Sequence, residues 1–137
     1  MRRVQGSSVL LVDDSHTTTT LIRACLEFIG IHNVDSADTG EGALRLLRSK
    51  SYDLVLCDWH MWPMTGPELL EQVRRELRGP SPRFVFMTMD NRWSSMTTAR
   101  SLGAAGFIVK PDNPRALRSK IEGLFPAAEI RGTATAG

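Results

Sequence analysis

The stretch VLLVDDSHTTTT, Val9 to Thr20, carries a strand, a junction and the start of a helix in twelve residues. Val9–Val12 is a short apolar run rich in β-branched residues, and it stops at two adjacent carboxylates, Asp13 and Asp14. Side chains alternate along a strand, so the two aspartates leave its end in different directions. They remain near enough to repel, which opposes ionisation of both unless a cation compensates. Beyond them Leu21, Cys25, Phe28 and Ile29 recur at helical spacing, and Gly30 follows as a stop signal.

The same unit repeats outward along the chain. Strands are predicted at Ser8–Val12, Asn33–Ala37, Leu54–Cys57, Arg83–Thr88 and Gly106–Val109. Amphipathic helices are predicted at Thr17–Ile29, Glu41–Lys50, Pro67–Leu77, Arg92–Leu102 and Pro114–Phe125. Pro67 and Pro114 fit first-turn positions, with Gly66 and Asn113 as the expected N-caps. Strict alternation of strand and helix implies an α/β fold, a doubly wound parallel sheet with helices on both faces and right-handed crossovers. Ligands of such sheets bind beyond the C-terminal ends of the strands. Asp13 and Asp14 end the first strand, Asp58 the third, Thr88 the fourth and Lys110 the fifth, so all five share one edge.

Three carboxylates meeting there suit a hard divalent cation such as Mg²⁺, which takes oxygen ligands and keeps several waters. A lysine beside them supplies a point charge for a phosphoryl oxygen, and the Thr88 hydroxyl offers a further hydrogen bond. An aspartate can itself attack phosphorus to give an acyl phosphate. The plainer alternative treats Asp14 as a helix N-cap and Lys110 as an ordinary loop lysine.

The bulk properties bound the rest. The chain has 137 residues, 42% hydrophobic and 23% charged, with a net charge of +2, as expected of one soluble globular domain. The longest apolar run is far shorter than a membrane span requires, and the compartment expected by default is the cytoplasm. Cys25 and Cys57 lie inside apolar-patterned segments and are expected to be buried free thiols. His60 has no second ligand at a spacing that would suggest zinc. Residues 1–82 hold 9 basic and 11 acidic side chains, and residues 83–137 hold 8 and 4, so the positive charge gathers late in the chain. The segment from Pro126 to Gly137 has no apolar period and is expected to be a flexible tail.

The pieces VDDS (Val12–Ser15), CDWHMWPMTGPELL (Cys57–Leu70), FMT (Phe86–Thr88) and GFIVKP (Gly106–Pro111), in this order and at these separations, resemble the receiver domains of two-component response regulators, above all the stand-alone chemotaxis type. The resemblance runs from Val9 to about Phe125, making residues 1–125 the receiver and 126–137 a tail. It implies a flavodoxin-like sheet in the order 2-1-3-4-5 and a signalling module rather than an enzyme. By the same resemblance Asp58 is the phosphoacceptor, and Mg²⁺ is held by Asp58, directly by Asp14, largely through water by Asp13, and by the backbone carbonyl of His60. Lys110 would pair with the phosphoryl group, Thr88 would move on activation, Phe107 stands at the aromatic switch, and Lys110–Pro111 would be cis. The partners implied are a sensor histidine kinase or phosphotransfer protein and a target protein segment on the helix 4–strand 5–helix 5 face. No membrane partner is expected, and no helix-turn-helix fits after Phe125. An Mg²⁺-dependent hydrolase would want a D-x-D arrangement after the first strand, which DDSHTT lacks. A degenerate receiver that binds partners constitutively, or the receiver piece of a longer regulator, are the alternatives.

The chain departs from the family pattern D-x-x-M-P-x-M-x-G in DWHMWPMTG, where the proline has moved one place to Pro63 and Trp62 stands in its position. Met89 follows Thr88 where a small residue is usual, a possible lid on the pocket, and Asp112 follows Lys110–Pro111. The basic late segment, with Arg92, Trp93, Arg100, Phe107, Arg115, Arg118 and Lys120, is expected to receive an acidic or amphipathic segment of the target.

Overall fold

The computed structural model describes residues 6–79, 81–89, 93–110 and 113–125, with the side chains of 93–96 left aside. Five strands and five helices alternate as β1 (Ser8–Val12), α1 (His16–Phe28), β2 (Asn33–Ala37), α2 (Gly40–Ser49), β3 (Leu54–Asp58), α3 (Gly66–Glu76), β4 (Arg83–Thr88), α4 (Trp93–Ser101), β5 (Gly106–Val109) and α5 (Pro114–Glu122). All pairings are parallel and the sheet order is β2-β1-β3-β4-β5, as expected.

β1 and β3 are buried along their whole length and β4 beyond Arg83, which is why they read as unbroken apolar runs. Their alternation divides the core in two. Val9, Leu11, Leu54, Leu56, Val85 and Met87 meet Ile22, Leu26, Leu117 and Ile121 of α1 and α5. Leu10, Val12, Val55, Cys57, Phe84 and Phe86 meet Ala43, Leu44, Leu69, Val73 and Ala99 of α2, α3 and α4. Both cysteines are buried free thiols, as expected.

The helix ends follow local chemistry. Ser15, not Asp14, caps α1, its hydroxyl accepting from the Thr18 N–H. Gly30 beyond α1 has φ 92°, a left-handed position that glycine tolerates best. Thr39 caps α2 and Asn113 caps α5. The expected cap at Gly66 is corrected. Thr65 caps α3 in a reciprocal capping box with Glu68, which moves Gly66 to the first helical position and Pro67 to the next. α5 stops at Glu122 rather than at Phe125, with Gly123 as its C-cap.

Trp62–Pro63 is the cis peptide bond found among the described residues. The Lys110–Pro111 bond, expected to be cis, lies outside them, as do Arg92, Asp112 and the segment 126–137. No helix among the described residues is long and apolar enough to cross a membrane.

Candidate phosphoryl and metal site

The register of the three central strands assembles the site. Val12 lies opposite Cys57, and Asp58 lies opposite Met87, so Asp13 leaves the sheet beside Asp58. The alternation that sends Leu11 and Leu56 to the α1–α5 side carries Asp13 and Asp58 the same way. The ladder extends past the strand ends, with the N–H groups of Asp13, Trp59 and Lys110 donating to the carbonyls of Ala37, Met87 and Thr88 at 3.1, 2.8 and 2.7 Å. Asp13, Asp58, Thr88 and Lys110 are therefore anchored at the sheet edge, with Asp14 in the junction that follows β1.

Carboxylate oxygens of Asp13, Asp14 and Asp58 lie within 4.8 Å of one another. Asp13 and Asp58 are 3% and 9% exposed, while Asp14 is exposed. Lys110 Nζ stands 2.7 Å from Asp13 Oδ2 and 3.7 Å from Asp58 Oδ1. The other Asp13 oxygen accepts the Ser15 N–H at 2.8 Å, so the residue that braces Asp13 is also the cap of α1. Both Asp13 oxygens are thus taken, and among the described residues no such partner holds Asp14.

Asp58 is pushed up to about 6, first by burial. Lys110 opposes this, Asp13 and then Asp14 add to it, and a hydrogen bond from the His60 backbone N–H favours the carboxylate. Below it, burial pushes the Cys57 thiol well above its ordinary range, and the thiol donates to the Asp58 carbonyl at 3.3 Å. Three carboxylates gather beside one lysine that reaches two of them, an excess of negative charge on hard oxygen donors that a divalent cation would neutralise. The donor set fits Mg²⁺.

The other expected residues surround this centre. Thr88 is 1% exposed at the end of β4. Phe107 is half-buried, edge-on to Trp59 with ring centroids 5.8 Å apart, and Trp59 is edge-on to Phe86 at 4.9 Å. The Phe107 ring therefore connects to the residue after Asp58 through one aromatic contact. Met89 is 69% exposed, and Arg100 and Arg115 are exposed on α4 and α5. The side chain of Trp93 falls outside the described set.

Two contributors escaped the sequence reading. Ser15 was not the expected cap, Asp14 being the candidate there, and its hold on Asp13 was not foreseen either. Gly66 abuts the end of β3: a Cβ there would clash with the Asp58 carbonyl oxygen and lie 2.9 Å from the Phe86 ring. The spacing from Asp58 to Gly66 contained that signal without its reason.

The family model described as response regulator receiver domain matches residues 9–122. The Chemotaxis protein CheY of Pseudomonas aeruginosa is 34% identical over 117 residues, covering 85% of this chain and 94% of that protein. CheY-3 of Vibrio cholerae is 30% identical over 121 residues, covering 88% and 93%. Among solved structures, CheY4 of Vibrio cholerae matches with a TM-score of 0.76 at 27% identity, over 87% of this chain and 98% of that one. Response regulator TrrA of Thermotoga maritima, solved in complex with Mg²⁺–BeF, matches with a TM-score of 0.69 at 27% identity, over 91% and 100%.

Proposed function

The chain belongs to the response regulator receiver domain family, a family of signalling proteins rather than classical enzymes, and we propose that Asp58 accepts a phosphoryl group from a histidine kinase or phosphotransfer protein in the cytoplasm. The observation that carries this reading is the group of three carboxylates within 4.8 Å, two of which, Asp13 and Asp58, face Lys110. Asp13, Asp14, Asp58 and the His60 carbonyl would hold Mg²⁺. When bound, it would neutralise charge gathering on the phosphoryl oxygens.

The chain's own residues do the remainder. Asp58, raised to about 6 mainly by burial, is largely ionised at neutral pH yet more basic than an exposed aspartate, which favours attack on phosphorus. Its oxygen forms the new O–P bond as the P–N bond to the donor imidazole breaks, and the leaving imidazole keeps that electron pair and takes up a proton. Lys110 lies 3.7 Å from Asp58, within reach of a phosphoryl oxygen there, and Thr88 offers a hydroxyl from the adjoining strand. Because both Asp13 oxygens are engaged, a water-mediated role suits Asp13 and direct ligation suits the exposed Asp14.

The output follows from Phe107. Movement of Thr88 toward the phosphoryl group would let the ring turn further inward, and phenylalanine does so without burying a hydroxyl. Beside it lies a groove of about 220 Å³ lined by Ala99, Arg100, Ala104, Ala105, Gly106 and Phe107. Arg100, Arg115 and Lys120 are exposed on the helices around it, a basic surface that suits an acidic or amphipathic target segment.

Intact-mass spectrometry after incubation with phosphoramidate tests the assignment. One phosphoryl group should appear only with Mg²⁺ present and never in Asp58→Ala. Modification of that variant would refute the role of Asp58.

A further inference from the structure

The loop between β3 and α3 is tied down everywhere except at its crest. The Gly66 N–H donates to the Trp59 carbonyl at 3.0 Å and closes its base. Met61 is 7% exposed within the α2–α3 side of the core. Met64 sits against Gly40, where an added Cβ would lie 2.6 Å from its sulfur. Between these two anchors Trp62 is 82% exposed, the most exposed large hydrophobic side chain among the described residues. An indole offers on the order of 200 Å² for burial, and a single exposed side chain of that kind carries little meaning alone.

What lies beside it gives the indole a context. Pro63 and Met64 open onto a groove of about 430 Å³ along α3, lined further by Glu68, Glu71, Gln72 and Arg75. Glu68 is engaged by the Thr65 N–H at 2.9 Å, and Gln72 donates to Glu76 at 2.7 Å. Glu71 and Arg75 are exposed and have no hydrogen bond or ion pair among the described residues. They stand one helical turn apart, so the groove offers an apolar end and then two opposite charges in a fixed order.

We propose that Trp62 and the α3 groove dock a short segment of a second protein. The segment presents an apolar anchor to Trp62, Pro63 and Met64, a basic residue to Glu71 and, a turn further, an acidic residue to Arg75. Tryptophan is among the side chains that most often carry the energy of such contacts. The surface is separate from the basic α4–β5–α5 face and differs from it in demand, asking for a ligand of mixed charge where that face suits an acidic one. A segment docked here leaves the α4–β5–α5 face open to another protein. This inference does not rest on the phosphoacceptor reading.

The test pans a phage-displayed library of short linear peptides on the full chain and on Trp62→Ala and Glu71→Lys. Selected peptides should carry an aromatic or aliphatic residue followed by Lys or Arg. They should bind Trp62→Ala at least about tenfold more weakly, and their affinity for Glu71→Lys should return when the basic residue is exchanged for an acidic one. Mg²⁺-dependent modification by phosphoramidate should be unchanged in both variants, so failure of this docking site and failure of the Asp58 assignment are separately visible. Peptides that bind all three proteins alike, a consensus that maps by NMR to the basic face, or self-association of the chain lost in Trp62→Ala would each overturn the proposal.

Discussion

Gly66→Ala strikes the site from behind. The added methyl clashes with the Asp58 carbonyl oxygen and comes within 2.9 Å of the Phe86 ring, which is itself fully buried. Neither neighbour can turn aside, because one is backbone at the end of β3 and the other is core. Overpacking of this kind costs about 1–3 kcal/mol. Against it stands a gain of about 0.4–1 kcal/mol from removing glycine's freedom in the unfolded chain. The net loss expected is about 1–2 kcal/mol, or about 4 °C in Tm for each kcal/mol at this chain length. Gly40→Ala is the matched control. It occupies the corresponding first position of α2, and its methyl meets the Met64 side chain, 2.6 Å from the sulfur and 3.0 Å from Cβ and Cγ, so that rotation of the thioether relieves the closest contact and the loop must yield slightly for the rest. Its loss of stability should be smaller than that of Gly66→Ala, since a side chain yields more readily than a carbonyl and a core ring. Urea unfolding followed by circular dichroism measures both, with unchanged slopes certifying that the folded surface is comparable. Gly66→Ala should also slow modification by phosphoramidate, since relief of the clash moves the loop that follows Asp58. Equal unfolding midpoints for Gly66→Ala, Gly40→Ala and the parent would refute the close approach.

Three further outcomes are expected. Asp58 is raised to about 6 in the folded chain, so the native state binds the extra proton between its ordinary range and that value, and metal-free stability should fall as pH rises through this window by on the order of 2–3 kcal/mol; Asp58→Asn should flatten the dependence in urea titrations across pH. Lys110→Ala leaves Asp13, 3% exposed, without its 2.7 Å partner and should destabilise the metal-free chain by about 3 kcal/mol, with Mg²⁺ restoring part of the loss as measured by thermal unfolding. Met89→Ala should speed both phosphoryl exchange with small donors and hydrolysis of the product if the methionine narrows in-line access; unchanged rates in quench-flow and decay assays would place this 69% exposed side chain outside the path.

The fold was legible because burial on both faces leaves central parallel strands nothing but apolar residues to carry, as Val9–Val12 and Leu54–Cys57 do. The site was legible as an edge, since every chemistry-bearing residue ended a strand. Helix starts were less so. Pro67 pointed to Gly66 as the cap, although the T-x-x-E pair of Thr65 and Glu68 marked the true boundary. Which partner Lys110 chooses could not be read, because periodicity describes each strand alone and says nothing of distances across the sheet. The outward thrust of Trp62 was hidden for a related reason: it depends on Met61 and Met64 both finding seats inside, which only tertiary packing decides.

The bond between Lys110 and Asp13 joins residues 97 apart. A ribosome adding about 5–20 residues per second needs about 5–20 s to make the lysine after the aspartate. During that interval a nascent chain carries Asp13, and later Asp58 as well, without the lysine that faces them, and β4 waits for its outer neighbour β5. The charge balance of this edge is therefore completed only when β5 and the lysine that follows it have been made.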